Sequence, residues 1–178
     1  FCDGKHFLRY FHSASERSHG YIFLFINPDH QTDADFSDTL LEIDPHFLNS
    51  QIGLAWAFAK KKMFREAISV IENIDVSLSD EPNVLTAQGY INAVSGNTET
   101  AHQFLQKLFE LSHKRFVSAY DIATIYAGLN DVEQAFDWLE KAMNERAVWL
   151  VFLKANPRFD SLRHDPRFEN LLLRIGFN

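Results

Sequence analysis

Eight histidines, a single cysteine and a pair of close aspartates are the side chains of this chain whose types could do chemistry. The histidines are His6, His12, His19, His30, His46, His102, His113 and His164. A metal would need several of them to converge, yet none stands in an HxH, HxxxH or HExxH arrangement on an expected helix, so no metal site is expected. Their other capacity is titration near neutrality. The acidic stretch 29–44 would raise the pKa of His30 or His46, against the plainer reading of solvated surface histidines. Cys2, standing alone near a frayed end, forms no intramolecular disulfide and no cysteine-based metal site. No serine sits in a G-x-S-x-G elbow, and Asp33 and Asp35 lie in a polar segment as ionised surface acids. Lys60-Lys61-Lys62 with Arg65 is the basic cluster, and it falls at an expected helix end, where cations complement the helix dipole; phosphate binding is the lesser reading. A glycine-rich phosphate loop, a kinase catalytic loop and a DNA-reading helix are all missing from the sequence. The expectation is a non-enzymatic chain with no cofactor.

The elements that position these residues repeat. Ala67, Ala101 and Ala135 stand 34 residues apart, each followed four residues later by Ile71, Leu105 or Leu139. A period of 34 is that of the tetratricopeptide helix-turn-helix unit, in which small residues mark a close helix crossing and large ones fill the interface. The best copy predicts a first helix from about Leu48 to Lys61 and a second from Arg65 to Ile74. Leu54 and Phe58 share one face, as do Ala67 and Ile71, while Ala55 and Ala67 let the helices approach. The second copy runs from Glu81 to about Leu111, with Pro82 in a first turn, Gly89 at the small place, Ser95-Gly96-Asn97 as the turn and Thr98 as a cap. The third starts near Phe116, turns at Gly128-Leu129-Asn130-Asp131 and continues through Ala135, Leu139 and Ala142. A degenerate copy precedes them, with helices over Ser15–Ile26 and Ala34–Glu42 around a turn at Asn27-Pro28-Asp29-His30. Tyr21 to Ile26 also reads as a buried strand. The domain reading is thus 1–46 as a degenerate repeat or divergent segment, and 47–178 as repeats with a C-terminal cap.

Composition bounds the function. With 178 residues, 46% hydrophobic and 23% charged, the chain can bury a sizeable core without disulfides. Seventeen phenylalanines suit interlocking helix pairs. A net charge of −7 argues against a nucleic-acid partner. Six acids and no lysine or arginine lie between Pro28 and Pro45, read as a solvated helix face or an acidic docking surface. The longest apolar run, Tyr21 to Ile26, has six residues, far short of the roughly 18 that span a bilayer, so no membrane insertion is expected. The chain opens on Phe1 with no signal-peptide pattern, which reads as a piece of a longer protein whose missing part carries the activity. A lone thiol fits the cytoplasm, or the periplasm if the piece is the tail of a membrane-bound regulator.

A C-terminal signature adds a family resemblance. Two Pro-Arg-Phe units, at Pro157 and Pro166, each follow an Asn or Asp, the residue types that start helices. They predict a short helical turn from Pro157 and a terminal helix from Pro166 to about Ile175, stopped by Gly176. Residues 117 to 177, through "YDIATIYAGLNDVEQAFDWLEKAMNERAVWLVFLKANPRFDSLRHDPRFENLLLRIGF", resemble the C-terminal tetratricopeptide tail of bacterial multidomain signalling proteins. Such tails follow winged-helix regulators, class III cyclases and Ser/Thr kinases. The resemblance implies an all-α superhelix (a TPR-like solenoid) of three to four helix pairs with a C-terminal capping helix. It also implies a non-catalytic sensory or assembly region.

By that resemblance the first helix of each pair lines a concave groove. The implied partner-binding residues are Asn49, Ile52, Trp56 and Lys60 in the first good copy, and Asn83, Thr86 and Tyr90 in the second. Tyr120, Asp121 and Thr124 follow in the third, with Gly53, Ala59, Ala87, Ala93, Val94, Val117, Ala127 and Gly128 beside them. Trp56, Tyr90 and Tyr120 would form an aromatic track for a peptide or helix, although a register error of one residue would bury Trp56. Trp138 and Trp149 read as packing residues. The implied partner is a protein or peptide, and a second copy of the chain is an alternative. The competing function is a small-ligand or pH sensor controlling a separate effector domain, which an enclosed polar cavity holding histidines would favour.

Overall fold

The computed structural model describes residues 48–177, so the expectations for the preceding segment, including Cys2, Asp33, Asp35, the acidic stretch and five of the eight histidines, lie outside the described residues. What is described is all-helical, with no strand among these residues. Three helical hairpins follow one another: α1 Leu48–Lys60 with α2 Phe64–Glu72, α3 Pro82–Val94 with α4 Thr98–Ser112, and α5 Ala119–Gly128 with α6 Val132–Asn144. Two 3-10 segments, Val148–Phe152 and Pro157–Leu162, lead to a last helix, α7 Pro166–Ile175.

Each hairpin turns by the same backbone device. Lys62, Gly96 and Asn130 take φ of 60°, 90° and 58°, the left-handed conformation that ends a helix. The amide following each reaches back five residues: Met63 N to Phe58 O at 2.9 Å, Asn97 N to Asn92 O at 2.9 Å and Asp131 N to Tyr126 O at 3.0 Å. These are the long bonds of the Schellman motif. The residues that bracket the second helices, Met63, Asn97, Asp131 and Asp165, are spaced by 34. Asn97, rather than the expected Thr98, is the N-cap of α4, because the tight turn leaves Thr98 already helical.

Small residues set the spacing between helices. Ala55, Ala67, Ala101 and Ala135 are fully enclosed. A Cβ on Gly89 would collide with the Ile125 side chain, so α3 and α5 are as close as their sequences permit. The first helices contact one another in order, α1 with α3 and α3 with α5, and α5 in turn contacts Pro157–Leu162. The 3-10 segment therefore extends the row of first helices, and α7 lies against α6. The core follows the hairpins in three clusters, the last joining Tyr120, Phe136 and Leu139 to Leu153, Phe159, Leu162, Phe168 and Leu171 of the cap.

Candidate inner-face site

The row of first helices carries two partly buried aromatic side chains, Trp56 of α1 and Tyr90 of α3. They occupy equivalent places one period apart, which brings their rings to 5.1 Å between centroids. The third place in that register is Thr124, not Tyr120. Thr124 is buried, and its hydroxyl donates to Tyr120 O at 2.9 Å within its own helix.

Tyr120 is a correction to the expected aromatic track. Its hydroxyl accepts a 2.7 Å hydrogen bond from Asn156 Nδ2 and its ring packs 5.2 Å from Phe159, so the cap covers it. Burial pushes its phenol pKa up. Ile52 and Thr86 are also buried, and Thr86 donates to Pro82 O at 2.7 Å. Ile52, Thr86, Tyr120 and Thr124 therefore all belong to the interior. Asn49, Trp56, Lys60, Asn83, Tyr90 and Asp121 are the implied groove residues that keep part of their surface.

The third hairpin contributes charge instead. Asp121, in the first turn of α5, is largely buried, and desolvation pushes its pKa up from 3.8 to about 6, partly offset by the guanidinium of Arg158. Tyr90 is pushed up to about 12 by burial, with Arg158 working against the shift and Asp160 with it. Among the described residues the buried indole Nε1–H of Trp56 finds no acceptor.

Arg158 and Asn156 organise this face, and sequence reasoning gave them no role beyond starting a helix. Asn156 is fully buried and caps Pro157–Leu162: its Oδ1 accepts from Arg158 N and Arg158 Nε, both at 3.0 Å, while its Nδ2 serves Tyr120. The Arg158 guanidinium is thereby laid 4.3 Å over the Trp56 ring. The same device recurs nine residues on. Asp165 Oδ1 accepts from Arg167 N at 2.9 Å and from Arg167 Nε at 3.0 Å, and Arg167 lies 4.4 Å over Phe136. The signal was the repeated Asn/Asp-Pro-Arg-Phe itself, in which proline fixes the turn, phenylalanine anchors it and arginine folds back over a ring.

The remaining candidates are dispersed. His102, His113 and His164 are exposed, and among the described residues no three His, Cys, Asp or Glu side chains converge. A cleft of about 90 Å³ between α2, α3 and α4 is lined by apolar and neutral groups with Glu72, and holds no histidine. Trp138 packs 5.5 Å from Phe109, and Trp149 packs 5.9 Å from Phe152. No described helix is long and apolar enough to cross a membrane. Comparison with family models, with curated proteins and with solved structures finds no match. The described residues thus form an all-helical row of hairpins whose first helices carry aromatic and polar side chains.

Proposed function

We propose that this chain is a tetratricopeptide-like superhelix acting as a non-catalytic protein-interaction module. In this reading it is the sensory or assembly tail of a larger bacterial signalling protein, in the cytoplasm, and it takes a peptide or helix along its inner face. The observation that carries the reading is the Trp56–Tyr90 pair, partly exposed on the row of first helices, with a buried indole donor that lacks an acceptor among the described residues. Aromatic anchors with unmet hydrogen-bonding capacity are what peptide-binding surfaces use. The 34-residue spacing of turns, brackets and alanines supports the superhelix.

The test is affinity capture from a bacterial lysate, comparing the native chain with a Trp56→Ala/Tyr90→Ala variant matched in folded content. A partner captured by the native chain and lost in the variant is the expected result. Identical capture by both would sink the inner-face reading. A second reading, a pH-responsive regulatory domain, draws on Asp121 rather than on the histidines that sequence alone brought forward. A pH-dependent change of conformation in the absence of any partner would favour it.

A further inference from the structure

Positions 58, 92 and 126 are equivalent, one period apart, and hold Phe58, Asn92 and Tyr126. The rings of the first and third hairpins pack against the core, Phe58 on the first cluster and Tyr126 on the other two. Asn92 has no ring to offer. Its side chain turns back along its own hairpin, where Nδ2 donates to Gln88 O at 2.8 Å and Oδ1 accepts from Asn97 Nδ2 at 3.2 Å. The cleft of about 90 Å³ between α2, α3 and α4 lies beside it.

The next junction along the row shows what this one lacks. Ile71, Gln88, Ile91, Asn92 and Phe104 line the cleft. One period on stand Leu105, Ile122, Ile125, Tyr126 and Trp138, which pack together in one cluster. Asn92 and Phe104 thus take the places of a phenol and an indole, and the smaller pair leaves space whose lining forgoes contacts. Ile71 and Ile91 are buried and form an apolar floor, while Gln88 and Thr100 are half-buried and Glu72 is exposed. At 3.6 residues per turn, Gln88 and Asn92 each stand roughly 160° from Tyr90 around α3, so the cleft is separate from the Trp56–Tyr90 pair.

We propose that this cleft is a binding site for a small single-ring phenol, which supplies the ring that position 92 lacks. An apolar cavity of about 150 Å³ encloses a benzene ring whole. The smaller cleft takes one ring inserted edge-first, with its hydroxyl at the mouth, and has no room for two fused rings. Phe104 packs against the ring, and the Gln88 carboxamide and Glu72 carboxylate are acceptors for the hydroxyl proton. A ring bearing a carboxylate is the poorer occupant, because it faces Glu72. The ligand touches α2 of the first hairpin and α3 and α4 of the second, so it holds the two hairpins in one packing arrangement.

The experiment titrates para-cresol into the full chain and follows isotope-labelled isoleucine methyl groups by NMR, assigned with single Ile→Val variants. Saturable shifts are expected at Ile68, Ile71 and Ile91, with Ile122 and Ile125 of the filled junction unmoved. Para-methylcyclohexanol, which keeps the hydroxyl and loses the flat ring, should bind at least roughly threefold more weakly, and para-toluate more weakly than para-cresol. Asn92→Tyr installs the residue of the third hairpin and should abolish the shifts. Phe104→Trp does the same from α4 without touching the Asn92–Asn97 bond, and unchanged Ile122 and Ile125 resonances show that each variant keeps its fold. No saturable shift in the native chain, shifts of equal size at Ile122 and Ile125, or para-cresol binding that survives both substitutions overturns the site. Tighter binding of para-toluate does so as well, by showing that the Lys107 ammonium, 5.0 Å from the Phe104 ring, receives an anion there. None of these outcomes bears on the inner face, whose Trp56 and Tyr90 take no part in the cleft.

Discussion

At position 121 the chain gives up stability that glycine or alanine would keep. Desolvation lifts the Asp121 pKa from 3.8 to about 6, so between about pH 4 and 6 the native chain holds a proton that the unfolded chain has released. Stability therefore falls as pH rises across that interval and stays lower above it. The shift corresponds to about 1–3 kcal/mol at neutral pH. Asp121→Asn removes the charge and keeps the shape. In urea denaturation at a series of pH values, the variant is expected to be more stable than the native chain at about pH 7 by that amount, and to lose the slope between about pH 4 and 6. A variant less stable at neutral pH would show that the carboxylate already has a stabilising partner in the fold. Asn156 is the contrasting case, a buried polar side chain whose donor and acceptor are both used. Removing it would leave Tyr120 Oη and the Arg158 donors to find new partners.

Helices and turns express the 34-residue period more faithfully than side chains do. The three hairpin turns share one left-handed residue and one long backbone bond, yet they hold Lys62, Gly96 and Asn130. Glycine enters that conformation freely and asparagine readily, while lysine incurs a clash of about 1–2 kcal/mol. Lys62→Gly relieves it and forfeits part of the gain to the greater freedom of glycine in the unfolded chain. A net stabilisation of about 0.5–1 kcal/mol is expected, read as a raised melting temperature by calorimetry. A lowered one would mean that the Lys62 side chain contributes contacts outweighing the strain. The same elements show what was legible beforehand. Alanines 67, 101 and 135, the turn at Gly128–Asp131, and the Pro166 start and Gly176 stop of the last helix all depend on local sequence, and each lies where the pattern placed it. The inner face was only partly legible. Which first-helix side chains turn inward depends on how far each hairpin rotates against the next, and Tyr120 was lost to a cap whose 3-10 backbone no helical periodicity describes. Arg158 was invisible for the same reason. Its partner, Trp56, lies about a hundred residues away and is reached only once the hairpins are assembled.

Over the whole molecule, that contact decides how far a local change travels. A row of hairpins in which each touches its neighbours alone would confine any change in the cap to α5 and α6. Here the guanidinium of Arg158, anchored by the Asn156 cap, lies on the Trp56 ring of α1, so the last segment of the row meets the first described helix across the inner face. A cation–ring contact of this kind contributes about 0.5–2 kcal/mol, a factor of roughly 2 to 30 in an opening equilibrium. Arg158→Ala should therefore lower amide protection in α1 by a factor in that range when hydrogen exchange is followed by mass spectrometry. Arg167→Ala is the matched control, because its guanidinium makes the same fold-back to an Asx cap but stacks on Phe136 of α6 and pairs with Glu133 on the outside. Its effect should stop at α6 and α7, leaving α1 as protected as in the native chain. If Arg158→Ala also leaves α1 untouched, the two ends are energetically independent and the inner face opens without resistance from the cap. If α1 responds to Arg158 alone, a ligand that displaces the guanidinium from Trp56 must loosen the row as it binds. The inner face would then be coupled to the C-terminal segment through a single side chain.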